Sequence, residues 1–146
     1  MPAHHEQKIL PHTPRQMFDL VADVDKYKEF LPWCCGSRVI WRKENVFNAD
    51  VDIGYPFLRE TFNSNVVLDP YERIDVVYQS GPFSHLRNSW TFLPVKGKKT
   101  HCEVVFDIDF HFSSGFLNTA IGPVFDSAVH NMVAAFEKRA NSIYGP

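Results

Sequence analysis

A chain of 146 residues with 45% apolar and 22% charged side chains falls in the range of a single globular domain, 1–146, large enough to bury a core without metal or disulfide help. Disordered and fibrous classes do not fit that composition. Seventeen acidic against fifteen basic residues leave a net charge of -2, so the overall basic footprint of a DNA-binding protein is missing and no DNA partner is expected.

In chain order, Met1 to Glu6 shows neither a basic segment followed by an apolar run nor an Arg-rich transit pattern, and no apolar stretch approaches the roughly 20 residues of a membrane-spanning helix. A soluble, cytoplasmic protein is expected. Glu6 to Leu10 reads as a short first strand ended by Pro11. Thr13-Pro14-Arg15-Gln16 then forms a capping box: Thr13 caps, Pro14 fits the first helical position, and Gln16 reaches back to the Thr13 amide. Met17, Phe18, Leu20 and Val21 give this helix an apolar face, and a second short turn follows from Lys26 to Phe30, closed by Leu31-Pro32. No basic recognition helix follows this corner.

From Gly36 to Phe112 the apolar period changes from 3.6 to 2, with turn residues recurring every ten or so positions. Six antiparallel strands are predicted, over 37–43, 46–53, 59–68, 73–80, 86–93 and 100–112. In the last of them Cys102, Val104, Phe106, Ile108, Phe110 and Phe112 face one way, while His101, Glu103, Asp107, Asp109 and His111 face the other. One face is therefore wet and one covered. The cover is the C-terminal segment, where Phe125, Val129, Met132, Val133, Phe136, Ala140 and Ile143 recur at helical steps. One long amphipathic helix is predicted there, kinked or restarted at Gly122-Pro123 because proline lacks the amide that would continue the ladder.

The thirteen Phe residues, within 14% aromatic content, need a wide apolar space to fill or line. A bent antiparallel sheet wrapped on one helix leaves such a space as a pocket. The candidate cavity and portal residues are Phe18, Phe30, Trp33, Phe57, Phe62, Phe83, Trp90, Phe92, Phe106, Phe110, Phe116, Phe125, Val129, Met132 and Phe136. Tyr55-Pro56-Phe57-Leu58, Gly81-Pro82-Phe83 and Gly115-Phe116-Leu117 are apolar where loops are usually polar. They either mark a contact surface or fold back to plug the ends of the sheet.

Phe18-Asp19-Leu20-Val21-Ala22-Asp23-Val24-Asp25-Lys26-Tyr27 followed by Phe30-Leu31-Pro32-Trp33-Cys34 resembles the opening motif of the ubiquinone-binding START-like proteins, the coenzyme Q chaperone and ribosome-association toxin (RatA) family. Gly81-Pro82-Phe83 with Leu86, Trp90 and Phe92, then 106–110, then 121–125, resemble later motifs of that family in the same order. The resemblance implies an α+β helix-grip (START-like) fold: a curved antiparallel sheet of about seven strands around a long C-terminal helix, with two short helices after the first strand. It also implies ubiquinone as a non-covalent ligand, a carrier role supporting respiratory membrane enzymes, and peripheral contact with the inner face of the respiratory membrane. A RatA-like protein binding the large ribosomal subunit is the alternative, with Arg38, Arg42, Lys43, Lys96, Lys98 and Lys99 as its basic patch. A polyketide-cyclase-like enzyme is the third reading, and it would need polar groups such as Asn63, Tyr78 and Asn88 inside the pocket.

No catalytic motif accompanies the pattern: there is no nucleophile elbow, HExxH, phosphate loop or dinucleotide fingerprint. His and carboxylate positions two apart on one strand stand about 6.6 Å apart, too far for most shared metal ligation. The three Cys, two of them adjacent, are expected as reduced structural thiols. Affinity for an isoprenoid tail comes from burial, at about 0.8 kcal/mol per methylene. A tail of about fifty carbons, at roughly 30 Å³ each, exceeds the usual 300 to 1,000 Å³ pocket, so only the ring and a few isoprene units are expected inside.

Overall fold

The computed structural model describes residues 3–56 and 58–145. Seven antiparallel strands form one sheet in the order β1-β7-β6-β5-β4-β3-β2. They are β1 (Ala3–Leu10), β2 (Cys34–Lys43), β3 (Val46–Tyr55), β4 (Leu58–Asp69), β5 (Arg73–Ser80), β6 (Phe83–Val95) and β7 (Lys98–Phe112). Strands β2 to β7 follow one another as a meander, and β1 closes on β7. The chain between β1 and β2 crosses from one edge of the sheet to the other through α1 (Pro14–Ala22) and a 3-10 turn (Val24–Glu29). The six period-2 strands sit where the pattern puts them, most with ends a few residues longer because hairpin pairing continues into the turns, and β1 starts at Ala3, before the expected Glu6, because its pairing with β7 runs on to Asp109.

Alternation decides the faces. On β7, Cys102, Val104, Phe106, Ile108, Phe110 and Phe112 are buried, as period 2 requires when one face is covered. Register shifts at Cys34/Gly36, Val39/Trp41, Asn63/Ser64, Phe83/His85 and Pro94/Val95 mark bulges, which bend strands and tighten twist. At the β5–β6 corner Gly81 has φ +141°, and a Cβ there would lie 2.7 Å from the Phe62 Cβ and 2.9 Å from the Thr61 carbonyl oxygen. Only glycine allows that close approach.

The α1 capping box forms as read, with Gln16 N donating to Thr13 Oγ1 at 3.1 Å and Thr13 N to Gln16 Oε1 at 2.9 Å. Two helical expectations need correction. The second short helix is a 3-10 turn that starts at Val24, two residues before the expected Lys26. The long C-terminal helix is three pieces: α2 (Gly115–Ala120), α3 (Gly122–His130) and α4 (Met132–Tyr144). The first break falls at Ile121, and a fresh helix starts at Gly122-Pro123 as expected, with Pro123 in the first turn of α3. The second, at Asn131, was not foreseen: its amide turns back to the Ala128 carbonyl at 3.2 Å, and its side chain donates to the Ser127 carbonyl at 3.0 Å. Asparagine is prone to such local bonding, which interrupts the helical ladder.

Candidate functional site

The site is the space between the inner face of the sheet and the helical cover. Its floor comes from alternate residues of five strands: Ala49 and Val51 of β3, Phe62, Ser64 and Val66 of β4, Ile74 and Val76 of β5, Leu86, Asn88 and Trp90 of β6, and Phe106 and Ile108 of β7. Its roof is Val21 of α1, Val24 and Tyr27 of the 3-10 turn, Trp33, Phe125 of α3, and Met132 and Phe136 of α4. The free volume is about 80 Å³, well below the usual 300 to 1,000 Å³ of a ligand pocket. That corrects the expected size, because a quinone ring with isoprene units needs several times more. Edge-to-face aromatic packing has filled the rest: Phe136 lies 5.0 Å from Trp90 and Phe125 lies 5.0 Å from Phe110, ring centre to ring centre.

Seven candidates meet at the cavity: Trp33, Phe62, Trp90, Phe106, Phe125, Met132 and Phe136. Phe18, Phe83, Phe92, Phe110 and Val129 are buried but face other core residues. Phe18 packs on Tyr71 and Phe92, and Phe83 stacks on Phe112 at 4.6 Å. Phe30 is half-buried, between Phe136 and the Arg139 guanidinium. Of the three expected loops, Gly115-Phe116-Leu117 is instead the first turn of α2, capped by Ser114, and their apolar residues divide between the two expectations. Phe83 and Leu117 fold inward, whereas Phe116 is 68% exposed, and Phe57 lies outside the described residues. Apart from Tyr27, the wall positions outside the candidate set are mostly small and aliphatic, among them Ala49, Val51, Ser64, Val66 and Val76. Their signal was alternation on β3 to β5 with side chains too short to reach the roof.

Polar chemistry at the cavity is sparse. Asn88 lines it, and its Nδ2 donates to the Asp107 carbonyl oxygen at 2.9 Å. Asn63 instead faces outward, bonded to Asn48 and Asp50, because it alternates with inward Phe62 and Ser64. The Tyr78 hydroxyl accepts from the Phe83 amide at 3.0 Å. The Tyr27 hydroxyl donates to the Val21 carbonyl, and burial pushes its pKa well up, so it stays a neutral phenol. Burial likewise pushes the Cys102 thiol up to about 12, holding it protonated and unreactive. Cys34 is buried and raised for the same reason, while Cys35 is exposed. No group of three or more His, Cys, Asp or Glu residues comes together to hold a metal among the described residues.

The basic patch is only partly free. Arg38 forks onto Asp52 at 3.0 and 3.1 Å, which holds the Asp52 carboxyl below the usual range. Arg42 lies over the Phe47 ring. Lys43, Lys96, Lys98 and Lys99 are exposed.

The three pieces of the roof are fastened differently. Helix α4 is tied to the rest by Lys8–Glu137 and Arg139–Glu29, each 2.7 Å, by His12 Nε2 donating to Asn141 Oδ1 at 2.7 Å, and by the Tyr144 hydroxyl donating to the Gln16 carbonyl. Helix α2 is tied through Asn118, whose side chain bonds the Phe112 amide and carbonyl. The polar side chains at α3 turn inward on their own helix, His130 to the Asp126 carbonyl and Asn131 to Ser127. The His130 ring also rests 4.2 Å from that of His4. Apolar contacts through Ile121, Phe125 and Val129 therefore supply most of what holds α3 down, and breaks flank it on both sides.

The family model for polyketide cyclase / dehydrase and lipid transport matches residues 10–137. The chain is 36% identical over 137 residues to the ribosome association toxin RatA of Pseudomonas aeruginosa, covering 94% of each chain. It is 37% identical over 144 residues to the mitochondrial coenzyme Q-binding protein COQ10 homolog B of Xenopus laevis, spanning 97% of this chain but 59% of that relative. A START superfamily protein from Mycobacterium smegmatis shares the fold at a TM-score of 0.76 and 15% identity, with 97% of this chain and 98% of the other aligned. The architecture is the α+β helix-grip fold expected from the sequence.

Proposed function

The chain belongs to the polyketide cyclase / dehydrase and lipid transport family, and on that footing we propose that it is a non-enzymatic carrier for a polyprenylated quinone such as ubiquinone. It buries the ring and first isoprene units, leaves the rest of the tail in the bilayer, and delivers the quinone to respiratory membrane enzymes. The observation that carries this reading is the apolar cavity under a roof piece, α3, that is broken at both ends and held mainly by apolar contacts. A ligand larger than 80 Å³ enters by lifting α3 and Phe125 with it, and it then replaces the apolar contacts that α3 gives up. Burial of the ligand at about 25 cal/mol per Å² offsets that loss. Phe116, 68% exposed, and Val124, 46% exposed, stand at the start of the roof where a membrane surface would receive the tail. The name of the coenzyme Q-binding relative supports the same ligand class.

Organic extraction and mass spectrometry of protein purified from a respiring host tests this. Copurified ubiquinone is the expected result. An empty protein that also fails to bind added decyl-ubiquinone overturns the reading.

Docking on the large ribosomal subunit is the second reading. It is supported by similarity to RatA along nearly the full length of both chains and by the exposed Lys43, Lys96, Lys98 and Lys99. Cosedimentation with ribosomal subunits, lost at raised salt as phosphate contacts weaken, is what it requires.

A further inference from the structure

Ser64 breaks the apolar series on the inner side of β4. It stands between Phe62 and Val66, is 4% exposed, and lines the cavity. Its hydroxyl oxygen has no hydrogen-bond partner among the described residues. The other hydroxyl and amide groups nearby are engaged: Asn88 with the Asp107 carbonyl, Tyr27 with the Val21 carbonyl, and Tyr78 with the Phe83 amide. The Ser64 backbone is paired across the sheet with Ala49 and Tyr78, so the side chain serves no turn or cap. An unpaired hydroxyl in an apolar interior is less stable than an alanine in the same place. The group is free among the described residues, buried, and part of the cavity wall.

We propose that Ser64 is the polar anchor of the cavity and donates its hydroxyl hydrogen to a carbonyl oxygen on the ring of the bound ligand. This rests on the carrier reading and deepens it, by naming the side chain that holds the carbonyl of the quinone ring. Asn88 lies two strands and one pleat repeat away across β5, roughly 12 Å between Cα atoms at ordinary strand spacing. Its amide keeps a second N–H after the bond to Asp107. The concave face turns both side chains toward the same space, so a ring with carbonyls at opposite ends meets a donor at each. Tail burial supplies affinity without regard to the head, and Ser64 supplies the discrimination.

The test titrates wild type and Ser64→Ala with decyl-ubiquinone and with decylbenzene, which carries the same tail and no carbonyl, and records the melting of each ligand-free protein. The expected result is a loss of about 3- to 10-fold in quinone affinity in Ser64→Ala, unchanged decylbenzene affinity, and a ligand-free melting temperature equal to or above wild type. Ser64→Ala that still prefers the quinone as strongly as wild type overturns the anchor and leaves the carrier reading intact. Wild type that binds neither compound overturns both. A Ser64→Ala protein that melts lower and loses both ligands equally assigns the hydroxyl to a structural water and overturns the anchor.

Discussion

Two regions of the inner sheet face follow the same alternation and reach opposite outcomes. Beside the β5–β6 corner, Phe83, Phe110 and Phe112 meet Phe125 with ring centres 4.6 to 6.2 Å apart, and the interior there is solid. In the middle of the sheet, Ala49, Ser64, Val66 and Val76 stand under the same cover, and a cavity remains. Side-chain volume decides which region is filled, and sheet curvature only sets the distance to be spanned. The solid region holds the fold and the hollow one is free to change, which suits a carrier that must take in and release its ligand.

The largest effect that tests the contrast is Phe110→Ala. Removing a ring in contact with three others should cost about 3 to 5 kcal/mol, read from denaturant unfolding. Val66→Ala, beside an existing void, should cost about 1.5 kcal/mol, the worth of the methylenes removed. Equal losses would mean that the two regions are packed alike.

A smaller effect of opposite sign is expected from Ala49→Leu, which fills the hollow. It should raise stability by roughly 0.5 to 2 kcal/mol while weakening decyl-ubiquinone binding at least tenfold. Destabilisation would show that the cavity already closes in solution.

The smallest change is chemical. Thiol alkylation at pH 8, followed by mass spectrometry, should modify Cys35 and spare Cys102, whose thiol is pushed up to about 12 and whose side chain is fully buried. Cys34, buried with a raised thiol, should react only on unfolding. Rapid labelling of Cys102 would mean that the β1–β7 pairing opens readily.

Much of this molecule was legible in its residues. The strands declared themselves through period 2 bounded by Pro, Gly and Asn. Helix α1 declared itself through Thr13 and Gln16, and one helix boundary through Pro123, because each of these signals acts over a few bonds. The Asn131 break was harder to read, since asparagine in a helix bonds its own backbone only when its surroundings allow it.

The sequence by itself determined which side chains face inward, because alternation along a strand is a local property of the backbone. Tertiary structure alone decided which inward residues fill the core and which line a space. Phe83, Phe92 and Phe110 became packing, while Ala49, Ser64 and Val76 became cavity wall. The physical reason is that a void depends on the volume arriving from the opposite side, from Phe125, Met132 and Phe136, dozens of residues away in the chain. The free hydroxyl of Ser64 belongs to the same class: a serine shows its donor locally, but only the assembled interior shows that nothing there accepts it.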